Sequence, residues 1–157
     1  MIRNNQIADL FDEIADLLDL EQDNPFRIRA YRNAARLLRG LQREVADMLA
    51  KGEKLDELPG IGADLAGKIQ DVVETGGTEL LYRLRRELPH GLVELLRVPG
   101  LGPKRAKLLH DQLHIASLAG LRAAAQAGKL AKVKGLGAKT QATILAATEA
   151  PPAEKRI

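Results

Sequence analysis

LPGIGADLAGKI at residues 58–69 returns, with its apolar and glycine positions intact, as VPGLGPKRAKLL at 98–109 and VKGLGAKTQATI at 133–144. Each copy has an apolar residue, one variable residue and Gly-apolar-Gly. A run of helix formers follows, with an apolar residue seven positions past the second glycine. Self-similarity of this kind marks a repeated supersecondary unit. Val98 follows Leu58 by 40 residues and Val133 follows Val98 by 35, which is too unequal for a regular solenoid and fits paired motifs.

Glycine enters left-handed backbone readily and lets another backbone come close. Gly-apolar-Gly between two helical patterns therefore reads as a tight hairpin, with Ile61, Leu101 or Leu136 pointing inward as a plug. The second glycine sits just before a helix, where unpaired N–H groups and the positive end of the helix dipole face outward together. That combination is an anion site. One Gly-x-Gly usually just ends one helix and starts another; three matched copies support three helix-hairpin-helix motifs.

The expected phosphate-contacting residues are Gly60, Gly62, Gly100, Gly102, Gly135 and Gly137. Lys104 and Arg105 in the second copy, and Lys134 and Lys139 in the third, add charge, whereas the first copy has Asp64. The second and third hairpins are therefore expected to hold phosphate more strongly. Contacts to phosphate position DNA without reading its sequence. Aromatic residues make up 3% of the chain and tryptophan is absent, which disfavours a base-stacking platform for single strands.

Outward from the hairpins the pattern is helical throughout. Ile7, Leu10, Phe11, Ile14, Leu17 and Leu18 lie on one helical face. Asn24 and Pro25 open a second helix running to about Arg39, whose Arg27, Arg32, Arg36 and Arg39 predict a cationic surface. A third helix spans Glu44–Ala50, ends at Gly52, and leads through a short turn at 55–58 into the first hairpin. Helices are predicted over Thr78–Leu88 and Gly91–Val98, divided by Pro89-His90-Gly91. Ser117 caps a further one over Leu118–Ala127. The expected fold is all-α, in two small helical domains. Residues 1–88 carry the first hairpin, 89–150 carry the second and third, and 151–157 form a frayed tail.

The net charge of +3 is unevenly distributed: −6 over residues 1–25, +5 over 26–54, −3 over 55–90 and +7 over 91–157. A basic second half, and a basic second helix beside an acidic first one, point to a polyanionic partner. There is no cysteine, which excludes disulfides and thiolate metal sites and favours a reducing interior. The amino terminus alternates polar and apolar residues without a signal-like apolar run, and no stretch has membrane-spanning character. A cytoplasmic protein with no membrane partner is expected. His90, His110 and His114 have no carboxylate or cysteine cluster around them that would make a metal site.

NPFRIRAYRNAARLL (24–38), LPGIGADLAGKI and VPGLGPKRAKLL resemble, in order and spacing, the amino-terminal part of family X DNA polymerases, especially the bacterial branch. The resemblance covers about residues 5–150, and KGLGAKTQATIL of the third copy is similar to the bacterial members too. Gln141, however, stands where the first two copies have Ala66 and Ala106. The resemblance implies a lyase-type helical domain followed by a fingers-like one, gripping DNA beside a gap or nick during base-excision-type repair in the bacterial nucleoid. The family's palm and phosphoesterase domains would belong to further parts of a parent protein. Alternatively, the chain is a stand-alone relative that kept the DNA-gripping part.

The resemblance further implies a monovalent cation, Na or K, on backbone carbonyls at Leu58 and Ile61 and at Val98 and Leu101, while the cationic helix places Arg27 and Arg32 among the expected DNA contacts. It matches Lys68 to a Schiff-base nucleophile of 5′-deoxyribose-phosphate lyases and Tyr31 to a residue of the same pocket. Arg27, Asp56, Asp64 and Leu80 stand where lyase-active members tend to carry lysine, so one of four remains cationic. Asp64 lies one helical turn from Lys68, and pairing with it opposes nucleophilicity. Two alternatives to pure DNA binding thus stay open: a lyase using Lys68, and a helical protein-interaction module. Salt dependence separates the latter from a phosphate grip.

Overall fold

In the computed structural model, which describes residues 1–149, α1 runs Asn4–Leu20 and α2 runs Pro25–Gly40. They form an antiparallel pair because the apolar stripe of each finds the other. Ile7, Phe11, Ile14 and Leu18 of α1, and Tyr31, Ala35 and Leu38 of α2, are fully or almost fully buried. Phe11 and Tyr31 meet edge to face, ring centroids 5.3 Å apart and planes at 78°. The Asn24 side chain accepts from the Phe26 N–H at 2.8 Å and Pro25 occupies the first turn, as the cap reading expects.

Buried Asn4 ties the start of α1 to the next helix. Its Nδ2 donates to the Arg43 carbonyl at 2.7 Å and its Oδ1 accepts from the Val45 N–H at 2.8 Å. Asn4 thus caps α3 (Val45–Ala50) from another part of the chain. A single 3-10 turn at Leu55–Glu57 leads to the first hairpin and then α4 (Ala63–Thr75). Gly76, at φ +90, closes α4, and Thr78 Oγ1 accepts from the Leu81 N–H at 3.1 Å to open α5 (Glu79–Glu87). Glu13 of α1 holds Arg85 of α5 through two hydrogen bonds of 2.7 Å.

A second unit begins at Leu88, the first being Met1–Glu87. It contains α6 (His90–Leu95), α7 (Gly102–Leu113), α8 (Leu118–Gln126), a 3-10 turn at Leu130–Lys132 and α9 (Ala138–Glu149). Ser117 Oγ caps α8 by accepting from the Gly120 N–H at 3.0 Å. Gly91 was expected to help separate two helices, but it lies inside α6. A β-carbon there would stand 1.3 Å from the Ala116 carbonyl oxygen, so the glycine is needed for a close backbone approach. α6 is also shorter than the expected Gly91–Val98, because the chain turns into the second hairpin after Leu95. The all-α class holds: among the described residues there is no strand. The tail expected over 151–157 lies outside the described residues.

Candidate nucleic-acid interface

Each repeat folds into the same local device. The Ile61, Leu101 and Leu136 N–H groups donate to the carbonyls of Leu58, Val98 and Val133 at 3.0, 3.1 and 3.0 Å, closing four-residue turns. The third residue of each turn, Gly60, Gly100 or Gly135, has φ of +82, +86 or +93. A type II turn demands that conformation, and Pro59 and Pro99 suit the position before it. The plugs Ile61, Leu101 and Leu136 are 3%, 4% and 7% exposed, and Ile69, Leu109 and Ile144, seven positions past the second glycine, are fully buried. A buried plug on one side fixes the turn and turns the start of the following helix outward.

The second glycines are placed differently. Gly62 has φ −88 and ψ −177, an ordinary N-cap conformation, and a β-carbon on Gly62 or Gly137 would meet no atom within 4 Å. Neither backbone strain nor crowding within the chain calls for glycine there. Serine or aspartate, the commonest N-caps, would lay a side-chain oxygen on the N–H groups that open the helix. Glycine leaves those donors free for an outside anion. Gly62→Ser and Gly137→Ser are therefore expected to raise stability by a few tenths of a kcal/mol. Each should weaken DNA binding by about tenfold, as one charge-assisted hydrogen bond is lost. Thermal melting beside a DNA titration checks both; binding that stays unchanged would show the donors are not used.

The second hairpin departs from this pattern. Gly102 has φ +72, Pro103 lacks an N–H, and the Arg105 guanidinium donates to the Gly100 carbonyl at 2.6 Å, so Arg105 is engaged with its own loop. Lys104 stays exposed. In the third hairpin Lys134 and Lys139 are exposed beside an open helix start, which makes it the best equipped of the three. Gln141, the departure from alanine noted above, accepts from the Ala131 N–H at 3.0 Å and so links α9 to the turn preceding the hairpin.

The cationic surface expected of α2 is largely neutralised. Arg32 pairs with Asp16 at 2.8 Å, Arg39 with Asp9 and Asp12 at 2.7 Å each, and Arg27 with Asp23 at 3.3 Å. The acidic α1 faces the basic α2, and Arg32 and Arg39 pair across the two helices.

Lys68 Nζ lies 3.1 Å from Asp64 Oδ1, the pairing foreseen from their spacing. Tyr31 is 1% exposed, and its hydroxyl is buried without a hydrogen-bond partner among the described residues. Burial pushes that hydroxyl up to about 12, the Asp64 charge adding to the shift and Arg27 opposing it. Arg27, Tyr31, Asp64 and Lys68 thus form one neighbourhood between α2 and α4. Sequence reasoning missed Phe26, which is 74% exposed with the Arg29 guanidinium 5.4 Å from its ring centre. The signal was available, since Phe26 falls off the buried stripe Tyr31, Ala34, Ala35, Leu38 of its own helix.

The carbonyls implied for a monovalent cation can be tested against their surroundings. Leu58 and Val98 each spend one lone pair on the turn hydrogen bond and keep another, and hard oxygen donors suit such an ion. The first hairpin fits. In the second, the guanidinium bound to Gly100 places a fixed positive charge in the same loop and disfavours another. Among the described residues no group of three His, Asp or Glu could hold a metal ion, and no helix is long and apolar enough to cross a membrane.

Residues 2–78 match the helix-hairpin-helix domain family, and residues 92–149 match the family described as a SAM-like helix-hairpin-helix tandem. The second match spans the second and third hairpins together. Over 146 residues, 93% of this chain, the sequence is 32% identical to the DNA polymerase/3'-5' exonuclease PolX of Bacillus subtilis (strain 168). This chain is built of helix-hairpin-helix domains, and it is similar to the amino-terminal region of a family X polymerase. It spans 25% of the length of that relative. Helix-hairpin-helix units of this kind support DNA binding, in keeping with the outward-facing helix starts.

Proposed function

We propose that this region binds DNA without sequence preference through its phosphate backbone. We further propose that it favours gapped or nicked duplex and serves as the DNA grip of a family X polymerase in base-excision-type repair, within the bacterial nucleoid. The observation that carries the reading is the pair Gly62 and Gly137, helix-opening glycines with no requirement inside the chain and open space before them. Phe26 supports the preference for broken DNA, since one exposed ring can stack on a base left unpaired at a gap or end. At the first hairpin the Leu58 and Ile61 carbonyls would hold Na or K, which would supply positive charge facing a phosphate. A gel-shift comparison of gapped, nicked and intact duplex tests the preference. Equal affinity for all three would remove the gap or nick from the proposal.

In this reading Lys68 is a phosphate clamp and not a nucleophile, because Asp64 holds its ammonium and the Tyr31 hydroxyl is shut away from any substrate. Borohydride reduction of wild-type protein on 5′-deoxyribose-phosphate DNA should trap no adduct. An adduct lost in Lys68→Ala would establish the lyase instead.

A further inference from the structure

A cavity of about 440 Å³ lies in the second unit between α6, α8 and α9. Its walls are largely apolar, from Val98, Pro99, Leu118, Ala119 and Ala147, and Leu118 stands 42% exposed at its side. Two guanidinium residues, Arg97 and Arg122, and one carboxylate, Glu94, complete the lining. The Arg122 Nε is buried and has no hydrogen-bond partner among the described residues. An arginine donor held out of water and left unsatisfied is costly, and such groups in native folds call for an explanation. A guanidinium turned slightly toward the cavity would offer Nε and a terminal nitrogen together, the fork that fits the oxygens of a phosphate.

We propose that this cavity is a binding site for a nucleoside phosphate, its phosphate on Arg122 and Arg97 and its base against the apolar wall. Three observations select that occupant. The charge calls for an anion, the volume is that of a small-molecule site, and Val98 and Pro99 belong both to the cavity and to the turn of the second hairpin. Because that turn forms part of the wall, the site can take either a free nucleotide or one unpaired nucleotide of a strand held at the hairpin. The second source rests on the DNA-binding reading; the first does not. The Thr148 hydroxyl is donated to the Leu145 carbonyl at 3.0 Å and no amide side chain lines the walls among the described residues, so discrimination among bases is expected to be weak.

The test is a chemical-shift titration of the full chain with 2′-deoxyadenosine 5′-monophosphate. Deoxyadenosine, inorganic phosphate and a short acidic, leucine-containing peptide serve as comparisons, and an oligonucleotide with an unpaired phosphorylated end as the second source. The mononucleotide should shift the amides of Leu118, Ala119 and Ala147, and removing its phosphate should weaken binding by at least about tenfold. Arg122→Ala should do the same. Ala119→Phe, which fills the space and leaves every charge, should also abolish the shifts, so a poorly folded Arg122 variant would not leave the matter open. Shifts confined to Gly62, Gly102 and Gly137, tighter binding of the peptide, or shifts that survive Ala119→Phe would overturn the proposal. Intact duplex titrated against the same protein reports on the hairpins separately: duplex binding without mononucleotide shifts at the cavity sinks the cavity alone.

Discussion

Changing Lys104 and Lys139 together to glutamate should weaken binding to duplex DNA by about a hundredfold at moderate salt. Both ammonium groups are exposed beside a hairpin and neither is tied to a carboxylate among the described residues, unlike Lys68 with Asp64 or Lys107 with Asp111. A hydrogen bond to a charged partner contributes about 1.5 kcal/mol or more, which is roughly tenfold in affinity for each lysine lost. Reversal adds repulsion on top. The fold should be indifferent, because neither side chain is buried. Circular dichroism together with fluorescence anisotropy on labelled duplex reads both quantities. A double variant that stays helical and binds as wild type would show that phosphate is not held at the second and third hairpins.

The second large effect is on stability at high pH. Tyr31 keeps its proton to about 12 in the folded chain, while an unfolded tyrosine loses it near 10. The stability this provides is fully present below about pH 10 and is lost as pH rises toward 12, because the unfolded state then releases a proton that the folded state retains. A gap of about two pH units corresponds to roughly 2–3 kcal/mol, a large share of the margin of a small domain. Tyr31→Phe removes both the titration and a buried hydroxyl that has no partner. The variant should therefore match or exceed wild type by about 1 kcal/mol at neutral pH, and lose less between pH 9 and 12. Urea midpoints at both ends of that range decide it; parallel curves for the two proteins would mean that the hydroxyl ionises without cost to the fold.

The hairpins were legible in the sequence because everything that makes them is local. A glycine at positive φ, a plug residue and a helix start lie within five residues, and the buried positions Ile69, Leu109 and Ile144 follow at a fixed spacing. The Asn24 and Ser117 caps were legible for the same reason. What could not be read depends on residues far apart in the chain. Arg32 and Arg39 of α2 are paired by Asp9, Asp12 and Asp16 of α1, and charge totals do not say which helix faces which. Gly91 looked like punctuation and is a contact with Ala116, set by the path of a loop twenty-five residues later. Arg105 looked like a free cation and is bonded to Gly100, because only the folded turn brings that carbonyl within its reach.

The central claim is that this chain holds DNA by its phosphates, and the dependence of affinity on salt tests it most directly. Equilibrium binding to a gapped duplex and to an unrelated intact sequence should be measured across several salt concentrations at fixed pH. The account predicts a straight line of log affinity against log salt, with a slope of about 0.9 for each phosphate contacted on duplex DNA, and closely similar slopes for unrelated sequences. Three working hairpins should give a slope of at least about 3, falling by about 2 in the Lys104, Lys139 double variant. An affinity that stays flat between low and physiological salt, or that survives on one sequence only, would contradict it.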